Sequence, residues 1–553
     1  MARRPNCDQP MSTRTRLAAC AFAGLLALRL SGADGPAQTN FSPPLNLGTL
    51  EDHKRMMDLL QVASLRPMTN GMDPSSPDYA NYDETKATAK SPVPDVLVLK
   101  SGSRIATPQD WWSLRRPQIM EDFDREVYGR IPEAAKEVKV TWTVTATSEE
   151  LVGDIPVVHR TLRGHVDNSS YPLIDVNITA SVTTPAGAVG RVPVMIEFGS
   201  DPFGGTRAPP PNPLGPDTLA KSLGLTAEQA AAIRPLATEI LRRQNDAAVL
   251  QARLSAANTG LEAKISAHLT EDQQPQLARI FRARAARDTG LVTGSMPWQQ
   301  LVLAQGWGFG SLNPNSIQPD TGRSLTSAGI IALVNQGQGR KPDDWGALRA
   351  WAWGAGRLID FFETDPLVDA KQVGFEGISR YGKAVIVAMA YEPRAAVAFV
   401  GSAGEAGTKL YRHLMGETVE NLASHEEYHW MAGNIIKYGG PLTVDDLPVD
   451  AHELIALCAP RPVFVSCGTG DGDAWQDPHG MFMAAALASP VYELLGKRGL
   501  GISQMPDPGV LLTQGELAFR QHEQGHTNRP NWPVFVEFAA RYLRAPVGAP
   551  ETK

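Results

Sequence analysis

The sequence predicts an α/β protein: a three-layer sandwich in which a mostly parallel sheet lies between helices and carries a helical insertion. Three observations support this class. Short, almost wholly apolar runs alternate with helical segments, one of these runs breaks at a serine and enters a small-residue helix, and residues 203–297 interrupt the alternation with an Ala-, Arg-, Gln- and Leu-rich stretch. Runs that are apolar on both faces are typical of strands buried in a parallel sheet.

The predicted strands form two groups. Alternation of apolar and polar residues predicts an antiparallel meander at 138–146, 157–166 and 173–183. Continuous apolar runs predict parallel strands at 192–198, 329–334, 373–377, 395–400 and 462–466. Apolar stripes predict helices at 108–128, 345–362 and 532–543.

Composition shifts divide the chain into five parts. We expect a signal peptide at 1–37, an N-terminal arm at 38–95, a catalytic domain at 96–202 and 298–545, a helical insertion at 203–297, and a C-terminal tail at 546–553. The insertion contains two similar helix starts, 225–229 and 269–273, in which a threonine precedes a glutamine by three places, the capping-box spacing. These starts also resemble the LTxxQ motif of small periplasmic chaperone-like proteins.

The first 37 residues have the order of a secretory signal: arginines, an apolar run at 17–30, then small residues. An uncleaved anchor is the alternative. We therefore expect a secreted or periplasmic protein that is free of the membrane once the signal is removed. Cys458 and Cys467 flank an extended run that holds them too far apart for a disulfide.

Bulk properties narrow the function classes. The chain is 42% apolar and 20% charged, which excludes wholesale disorder, and its net charge of −7 argues against nucleic acid as a partner. His425 and His429 are four residues apart but lack the H-E-x-x-H order of a zinc site, so we expect neither metal nor cofactor. We expect a monomer.

The segment 371–383 is the most informative part of the chain, because it has the features of a nucleophile elbow. A turn that lifts Ser379 above the sheet needs small neighbours, and Gly374, Gly377 and Gly382 provide them. Arg380 and Lys383 place two cations at a helix start that already disfavours positive charge. We interpret both as facing negative charge on a ligand; the alternative is that they face solvent or nearby acids.

A reactive serine needs a base and a group that orients the base. In α/β-hydrolases the chain order is serine, acid, histidine. His526, after the flexible Gly525, is the predicted base, and His522 is the alternative. Three acids in glycine-rich loops are candidates for the third member: Glu405, Asp471 and Asp473.

An oxyanion needs donors arranged in advance. The backbone N–H of Arg380 is the expected first donor, and its side chain can be another. The loop 199–205, after an early strand, is expected to supply the remaining N–H.

The segment 377–383 resembles the G-x-S-R-x-G-K signature of the glucuronoyl esterases, carbohydrate esterase family 15, and the likeness covers about 108–200 and 297–545. The resemblance implies an α/β-hydrolase fold and hydrolysis of the ester between 4-O-methylglucuronate of glucuronoxylan and lignin alcohols. It implies Ser379 as nucleophile, His526 as base and Arg380 as oxyanion stabiliser.

For the sugar, the resemblance implies contacts from Lys383, Glu420 and Trp475. The acid follows either of two strands in this family, and between Glu405 and Asp473 we favour Glu405. The alternatives are another carbohydrate or acyl esterase, such as an acetyl xylan esterase, and a non-catalytic secreted binding module.

Overall fold

The computed structural model describes residues 41–152, 155–199, 223–244, 297–469 and 471–546, with short pieces between 265 and 277. The predicted signal peptide, much of the insertion and nearly all of the predicted tail lie outside these residues. Within them, no helix is both long enough and apolar enough to cross a membrane. Cys458 and Cys467 are buried free thiols.

The core of the described chain is a nine-stranded sheet with the order β1-β2-β3-β5-β4-β6-β7-β8-β9. The strands are β1 (Val140–Val152), β2 (Ile155–Val166), β3 (Asn177–Pro185), β4 (Val192–Phe198), β5 (Gly308–Leu312), β6 (Val368–Ile378), β7 (Val397–Gly401), β8 (Val463–Cys467) and β9 (Leu517–Gln521). Strands β1, β2, β3 and β5 pair antiparallel, and β5, β4 and β6 to β9 pair parallel. The mostly parallel sheet predicted from the sequence is confirmed.

The α-helices of the described residues connect and cover these strands. They are α1 (Thr49–Leu59), α2 (Pro108–Asp110), α3 (Arg116–Glu126), α4 (Glu133–Glu137), α5 (Ala227–Gln244), α6 (Trp298–Ala304), α7 (Pro314–Ile317), α8 (Gly329–Val334), α9 (Ala347–Thr364), α10 (Arg380–Tyr391), α11 (Val419–Ala423), α12 (Ile436–Gly439), α13 (Ala451–Cys458), α14 (Asp471–Ala474), α15 (Pro478–Leu494) and α16 (Trp532–Ala539).

Helices lie on both faces of the sheet. On one face α6 and α16 pack together through the stacked rings of Trp298 and Trp532, 4.4 Å apart, and Phe399 of β7 joins their apolar cluster. On the other face α9 and α10 contact β6. Because successive side chains of a strand point to opposite faces, the wholly buried β7 and β8 serve both layers.

One predicted strand is wrong. The run 329–334 forms helix α8, and the place in the sheet beside β3 is taken by β5. Two glycines weakened the strand signal of β5, yet the sheet requires them: a Cβ on Gly308 or Gly310 would come within 2.6 or 2.2 Å of a β3 carbonyl oxygen. A short apolar run alone does not distinguish strand from helix.

The helix predicted at 108–128 is interrupted. A π-helical turn (Trp111–Arg115) separates α2 from α3. Such a turn adds a residue and rotates the side chains that follow. Trp111 is therefore buried, while Trp112 and Leu114 are 46% and 45% exposed.

The two similar helix starts of the insertion contact each other. The Thr226 N–H donates to the Gln229 side-chain oxygen, and the Thr270 N–H donates likewise to Gln273, each at 3.0 Å. The Gln229 amide also donates to the Gln273 side-chain oxygen at 3.3 Å. Each glutamine therefore caps its own segment and helps join the pair.

Candidate active site

Ser379 sits on a strained turn between β6 and α10. Its φ of 60° and ψ of −132° lie in a region that residues with a side chain rarely adopt. Its N–H donates to the Gly401 carbonyl of β7 at 2.9 Å, and its carbonyl accepts from the Lys383 N–H. Close approach explains two of the glycines, since a Cβ on Gly377 or Gly382 would meet a backbone oxygen at 2.6 Å.

The His526 ring is held by Asp473. His526 Nδ1 lies 2.8 Å from Asp473 Oδ1, and the carboxylate is fully buried whereas the imidazole is 34% exposed. Because a carboxylate only accepts hydrogen bonds, Nδ1 carries the proton and Nε2 is left as the basic nitrogen. The arrangement suits general-base chemistry.

The second oxygen of Asp473 is also occupied. Its Oδ2 accepts from the Ser402 hydroxyl at 2.7 Å and from the Gly468 N–H. These donors satisfy the buried charge and fix the plane of the carboxylate. Asp473 can therefore orient the imidazole without changing its own position.

The loop that carries His526 is fastened to the elbow strand and its neighbour. The Asn528 amide donates to Glu376 of β6 at 2.5 Å, and its side chain fills the space where a Cβ of Gly401 would stand. Glu376 pairs across the sheet with Glu197 of β4, and burial raises the pKa of Glu197 to about 7. The His526 loop is thereby held against the strand that leads to Ser379.

His522, the alternative base, makes hydrogen bonds to the backbone of its own loop. Its Nε2 contacts the Thr527 carbonyl at 2.7 Å, and its Nδ1 accepts from the Gln524 N–H at 3.1 Å. Its side chain is buried, and burial lowers its pKa. Both ring nitrogens are thus committed to the backbone around His526.

The preference for Glu405 over Asp473 is corrected by the contacts. Glu405 is fully buried, and its Oε2 accepts from Lys409 Nζ at 2.5 Å. Burial raises the pKa of Glu405 well above its ordinary value, and Lys409 opposes that rise. The sequence placed both acids in loops at the same sheet edge, but only Asp473 contacts His526.

The two cations at the start of α10 both pair with acids, which is the alternative that the sequence left open. Arg380 donates to Asp320 Oδ2 at 2.7 Å, and Lys383 donates to Glu417 Oε2 at 2.6 Å. Both cationic groups also lie over the ring of Trp430, Arg380 at 5.9 Å and Lys383 at 6.0 Å from its centroid. The indole therefore joins the two ion pairs into one site.

Asp320 accepts hydrogen bonds from three side chains and holds Arg380 in place. Besides Arg380 it accepts from His429 Nε2 at 2.9 Å and from Trp430 Nε1 at 2.6 Å. Burial alone would raise the pKa of Asp320, but these three donors lower it to about 2. The guanidinium of Arg380 remains half exposed beside Ser379.

Lys383 and Glu417 form a buried pair. Their side chains are 3% and 4% exposed, and Lys383 Nζ also donates to the Glu405 carbonyl. Glu417 further accepts from the Glu405 N–H at 3.1 Å. Lys383 and Glu417 together offer a donor and an acceptor at fixed positions.

Glu427 is a carboxyl that the sequence did not single out. Its Oε2 is buried and has no hydrogen-bond partner among the described residues. Burial raises the pKa of Glu427 to about 8; Glu417 adds to that rise and Lys383 opposes it. Burial thus favours the neutral form of Glu427, which can donate a hydrogen bond.

The two remaining predicted sugar contacts touch the N-terminal arm. Glu420 Oε1 accepts from Arg66 Nε at 2.9 Å, so its charge is matched by the arm. Trp475 is half-buried, and Gly71 lies so close to its ring that a Cβ there would come within 2.3 Å. The arm thus forms part of the wall next to Trp475.

Two predictions fall largely outside the described residues. Of the expected oxyanion loop 199–205, the structure describes Gly199, whose N–H donates to the Leu312 carbonyl of β5. The side chain of Asp471 is not among those described.

Asp320, Glu417, Glu427 and Trp430 are the site residues that the sequence did not identify. Trp430 was interpreted from the sequence as a core or rim residue, and nothing in the local sequence marked the three acids as partners of the cations near Ser379. The sequence did contain one signal: Arg380 and Lys383, two cations at a helix start, need negative partners. That signal predicts acidic residues nearby but does not identify them.

Comparisons with known proteins place the chain near one group of esterases. The model of the family "Glucuronyl esterase, fungi" matches residues 339–496. The solved structure of a CE15 glucuronoyl esterase from Teredinibacter turnerae T7901 is 35% identical, with a TM-score of 0.68 over 89% of this chain and 99% of its own. A glucuronoyl esterase from Solibacter usitatus is 26% identical, with a TM-score of 0.59 over 83% and 99%.

Sequence relatives agree. Carbohydrate esterase MZ0003, from an unknown prokaryotic organism, is 28% identical over 473 residues, or 85% of this chain and 93% of that protein. The 4-O-methyl-glucuronoyl methylesterase 1 of Wolfiporia cocos is 34% identical over 158 residues, which cover 27% of this chain and 38% of that protein. The prokaryotic relative therefore covers most of this chain, and the relative from Wolfiporia cocos covers about a quarter of it.

Proposed function

The chain belongs to carbohydrate esterase family 15, the glucuronoyl esterases, and is a carboxylic ester hydrolase. From this membership we propose that it is a secreted serine esterase. Its substrate in this proposal is the ester between 4-O-methylglucuronate of glucuronoxylan and lignin alcohols. One observation carries the proposal: Asp473 holds His526, and the His526 loop is fastened to β6, the strand that leads to Ser379 and to the two cations that share Trp430.

Ser379, His526 and Asp473 form the catalytic triad of this proposal. The Ser379 hydroxyl attacks the ester carbonyl while His526 Nε2 takes its proton, and the imidazolium then protonates the departing alcohol. Asp473 holds the ring through Nδ1 and stabilises the positive charge that forms. Water, activated by the same imidazole, releases the uronate from Ser379.

Arg380 stabilises the oxyanion. Its backbone N–H stands at the first position of α10, directly after the nucleophile, where hydrolases place a donor. Its guanidinium is half exposed and is oriented by Asp320. The same cation then matches the carboxylate of the uronate product, so charge is complemented before and after bond cleavage.

Lys383, Glu417 and neutral Glu427 bind sugar hydroxyls, and Trp475 covers an apolar face of the ring. Glu417 rather than Glu420 takes the acceptor role, because Glu417 lies against Lys383 whereas Glu420 is held by Arg66 of the arm. A pyranose offers neighbouring hydroxyls that both donate and accept, which suits an ammonium, a carboxylate and a neutral carboxyl at fixed positions. An acetyl group needs none of these groups.

The test compares two esters. We expect the purified chain to hydrolyse benzyl glucuronate with a much higher kcat/KM than p-nitrophenyl acetate, and Ser379→Ala to lose both activities. Preference for the acetate would favour an acetyl esterase. If Ser379→Ala kept its rate on benzyl glucuronate, the serine mechanism would be wrong, and a folded wild type that bound the sugar without hydrolysis would indicate a binding module.

The secretory signal at 1–37 and the insertion at 203–297 complete the proposal as sequence predictions. Detection of a mature N-terminus near residue 34 or 38 in exported protein would support the signal, whereas a full-length cytoplasmic product would oppose it.

A further inference from the structure

Three side chains from distant parts of the chain meet in a cluster that contains none of the proposed catalytic or sugar-binding residues. Glu84 belongs to the N-terminal arm, His413 follows β7, and His479 lies in the first turn of α15. Glu84 Oε1 is 3.0 Å from His413 Nε2 and 2.7 Å from His479 Nδ1. All three ligand-type atoms lie within 4.8 Å of one another.

A fourth residue fixes the orientation of one ring. Asp477 Oδ2 lies 2.6 Å from His413 Nδ1, and Asp477 is 1% exposed. Its other oxygen accepts from the Gly480 N–H at 2.9 Å, so the carboxylate is itself held. Because Asp477 accepts, His413 Nδ1 carries a proton, and a neutral His413 directs the lone pair of Nε2 at Glu84.

The three ligand-type atoms converge on one place, and a positive species between them satisfies all three. A neutral imidazole nitrogen and a carboxylate oxygen both present lone pairs, yet they stand at hydrogen-bond distance. Either a second proton on His413 or a cation resolves the conflict. A cation at this place would also be within reach of the His479 nitrogen that lies beside the same Glu84 oxygen.

We propose that Glu84, His413 and His479 bind a divalent ion of the zinc class. Two imidazoles and one carboxylate are a donor set suited to Zn²⁺. Asp477 takes the supporting position found behind metal-bound histidines, where a carboxylate accepts from the other ring nitrogen. Glu84 and the His479 side chain are 52% and 38% exposed, so an ion can enter from solvent and water can complete its coordination.

The ion would fasten the arm to the catalytic domain. The arm segment that contains Glu84 already pairs through its backbone with the segment of His413: the Gly416 N–H donates to the Asn81 carbonyl, and the Ala89 N–H donates to the Arg412 carbonyl. The latter segment leads directly to Glu417, and Asp477 is four residues beyond Asp473. A structural metal here would stabilise the arm together with the two loops that carry Glu417 and Asp473.

The experiment uses the full chain without a polyhistidine tag. The protein is stripped with a chelator, desalted, incubated with ZnCl₂ and passed through gel filtration, and bound zinc is counted by mass spectrometry. We expect about one Zn²⁺ per chain and a thermal midpoint several degrees higher than that of the stripped protein, because an ion that binds only the folded state stabilises it.

Variants locate the ion. Glu84→Gln and His479→Gln alter partly exposed side chains, and each should lose the bound zinc and the rise in thermal midpoint. His165→Gln is the matched control, since His165 is also partly exposed and lies beside a carboxylate, Asp175, at 3.5 Å; it should keep both. Visible absorption of Co²⁺ added to the wild type tests the donor set independently of any variant.

Two results would overturn the proposal. If the wild type retains no zinc and shows no cobalt spectrum, the cluster is a proton network in which His413 is an imidazolium between two carboxylates. If zinc remains in Glu84→Gln and His479→Gln, the ion binds elsewhere. Neither result bears on the esterase activity, so this proposal and the proposed function fail separately.

Discussion

Asp473 contacts His526 directly: its Oδ1 accepts from the ring Nδ1 at 2.8 Å, while Ser402 and Gly468 hold the other carboxylate oxygen. Glu405, the competing acid, is fully buried and paired with Lys409. The two carboxyls therefore have different tasks, one in orienting the imidazole and one in balancing a buried ammonium.

The acid assignment is tested by paired amide variants. Asp473→Asn should keep the fold but lower kcat by about 10⁴, because an amide can impose the wrong tautomer on His526. Glu405→Gln should change kcat little and lower the free energy of unfolding by about 3–5 kcal/mol, since Lys409 stays charged and buried without its counter-charge. The reverse result, with kcat lost in Glu405→Gln, would restore Glu405 as the acid.

Backbone strain at Ser379 predicts that two inactive variants, Ser379→Gly and Ser379→Ala, differ in stability. At φ 60° and ψ −132°, serine and alanine are both strained, whereas glycine is not. After allowance for the extra chain entropy of glycine, Ser379→Gly should be more stable than Ser379→Ala by about 1 kcal/mol. Urea unfolding measures this, and equal stabilities would mean that the turn stores no strain.

The buried pair of Lys383 and Glu417 predicts an effect on sugar binding that is separable from stability. Lys383→Met should destabilise the protein by about 3–5 kcal/mol, because it leaves Glu417 charged and buried. The double variant Lys383→Met, Glu417→Gln should recover stability but not its low KM for benzyl glucuronate.

The control for that pair is the rate on p-nitrophenyl acetate, which lacks a sugar. It should stay within about threefold of the wild type in the double variant, since the triad is untouched. A parallel loss on both esters would place the pair in the catalytic step rather than in sugar recognition.

The raised pKa of Glu427 predicts that the stability of the protein depends on pH. Its pKa is raised from an ordinary value of 4.5 to about 8, mainly by burial, so between these values the folded state binds more protons than the unfolded state. Stability from this group therefore falls as pH rises from 4.5 to 8. The gain in free energy of unfolding from Glu427→Gln should be larger at pH 8 than at pH 5.

Glu426→Gln is the matched control for that measurement, because Glu426 is the exposed neighbour. Its effect on stability should be nearly the same at the two pH values. If Glu427→Gln behaved in the same way, Glu427 would titrate as an ordinary surface carboxyl.

The sequence predicted the features that depend on adjacent residues. The elbow is a local motif, so Ser379, Arg380 and the glycines could be read directly, and strands β4, β6, β7 and β8 followed from continuous apolar runs. β5 could not, because its glycines are explained only by the close approach of β3.

Pairings across the fold were harder to predict. Glu417 and Glu420 are three residues apart, and only the structure shows that one faces Lys383 and the other Arg66. Asp473 and Glu405 follow neighbouring strands, so strand order alone left both within reach of His526. Such choices depend on side-chain directions in loops, which the sequence does not encode locally.

The most direct test of the account is a crystal structure of Ser379→Ala with benzyl glucuronate bound. We predict the ester carbonyl next to Arg380 and the sugar hydroxyls within hydrogen-bond distance of Lys383, Glu417 and Glu427, with Trp475 against the ring. A sugar bound elsewhere, or one beside residue 379 with no contact to Arg380 or Lys383, would contradict the account.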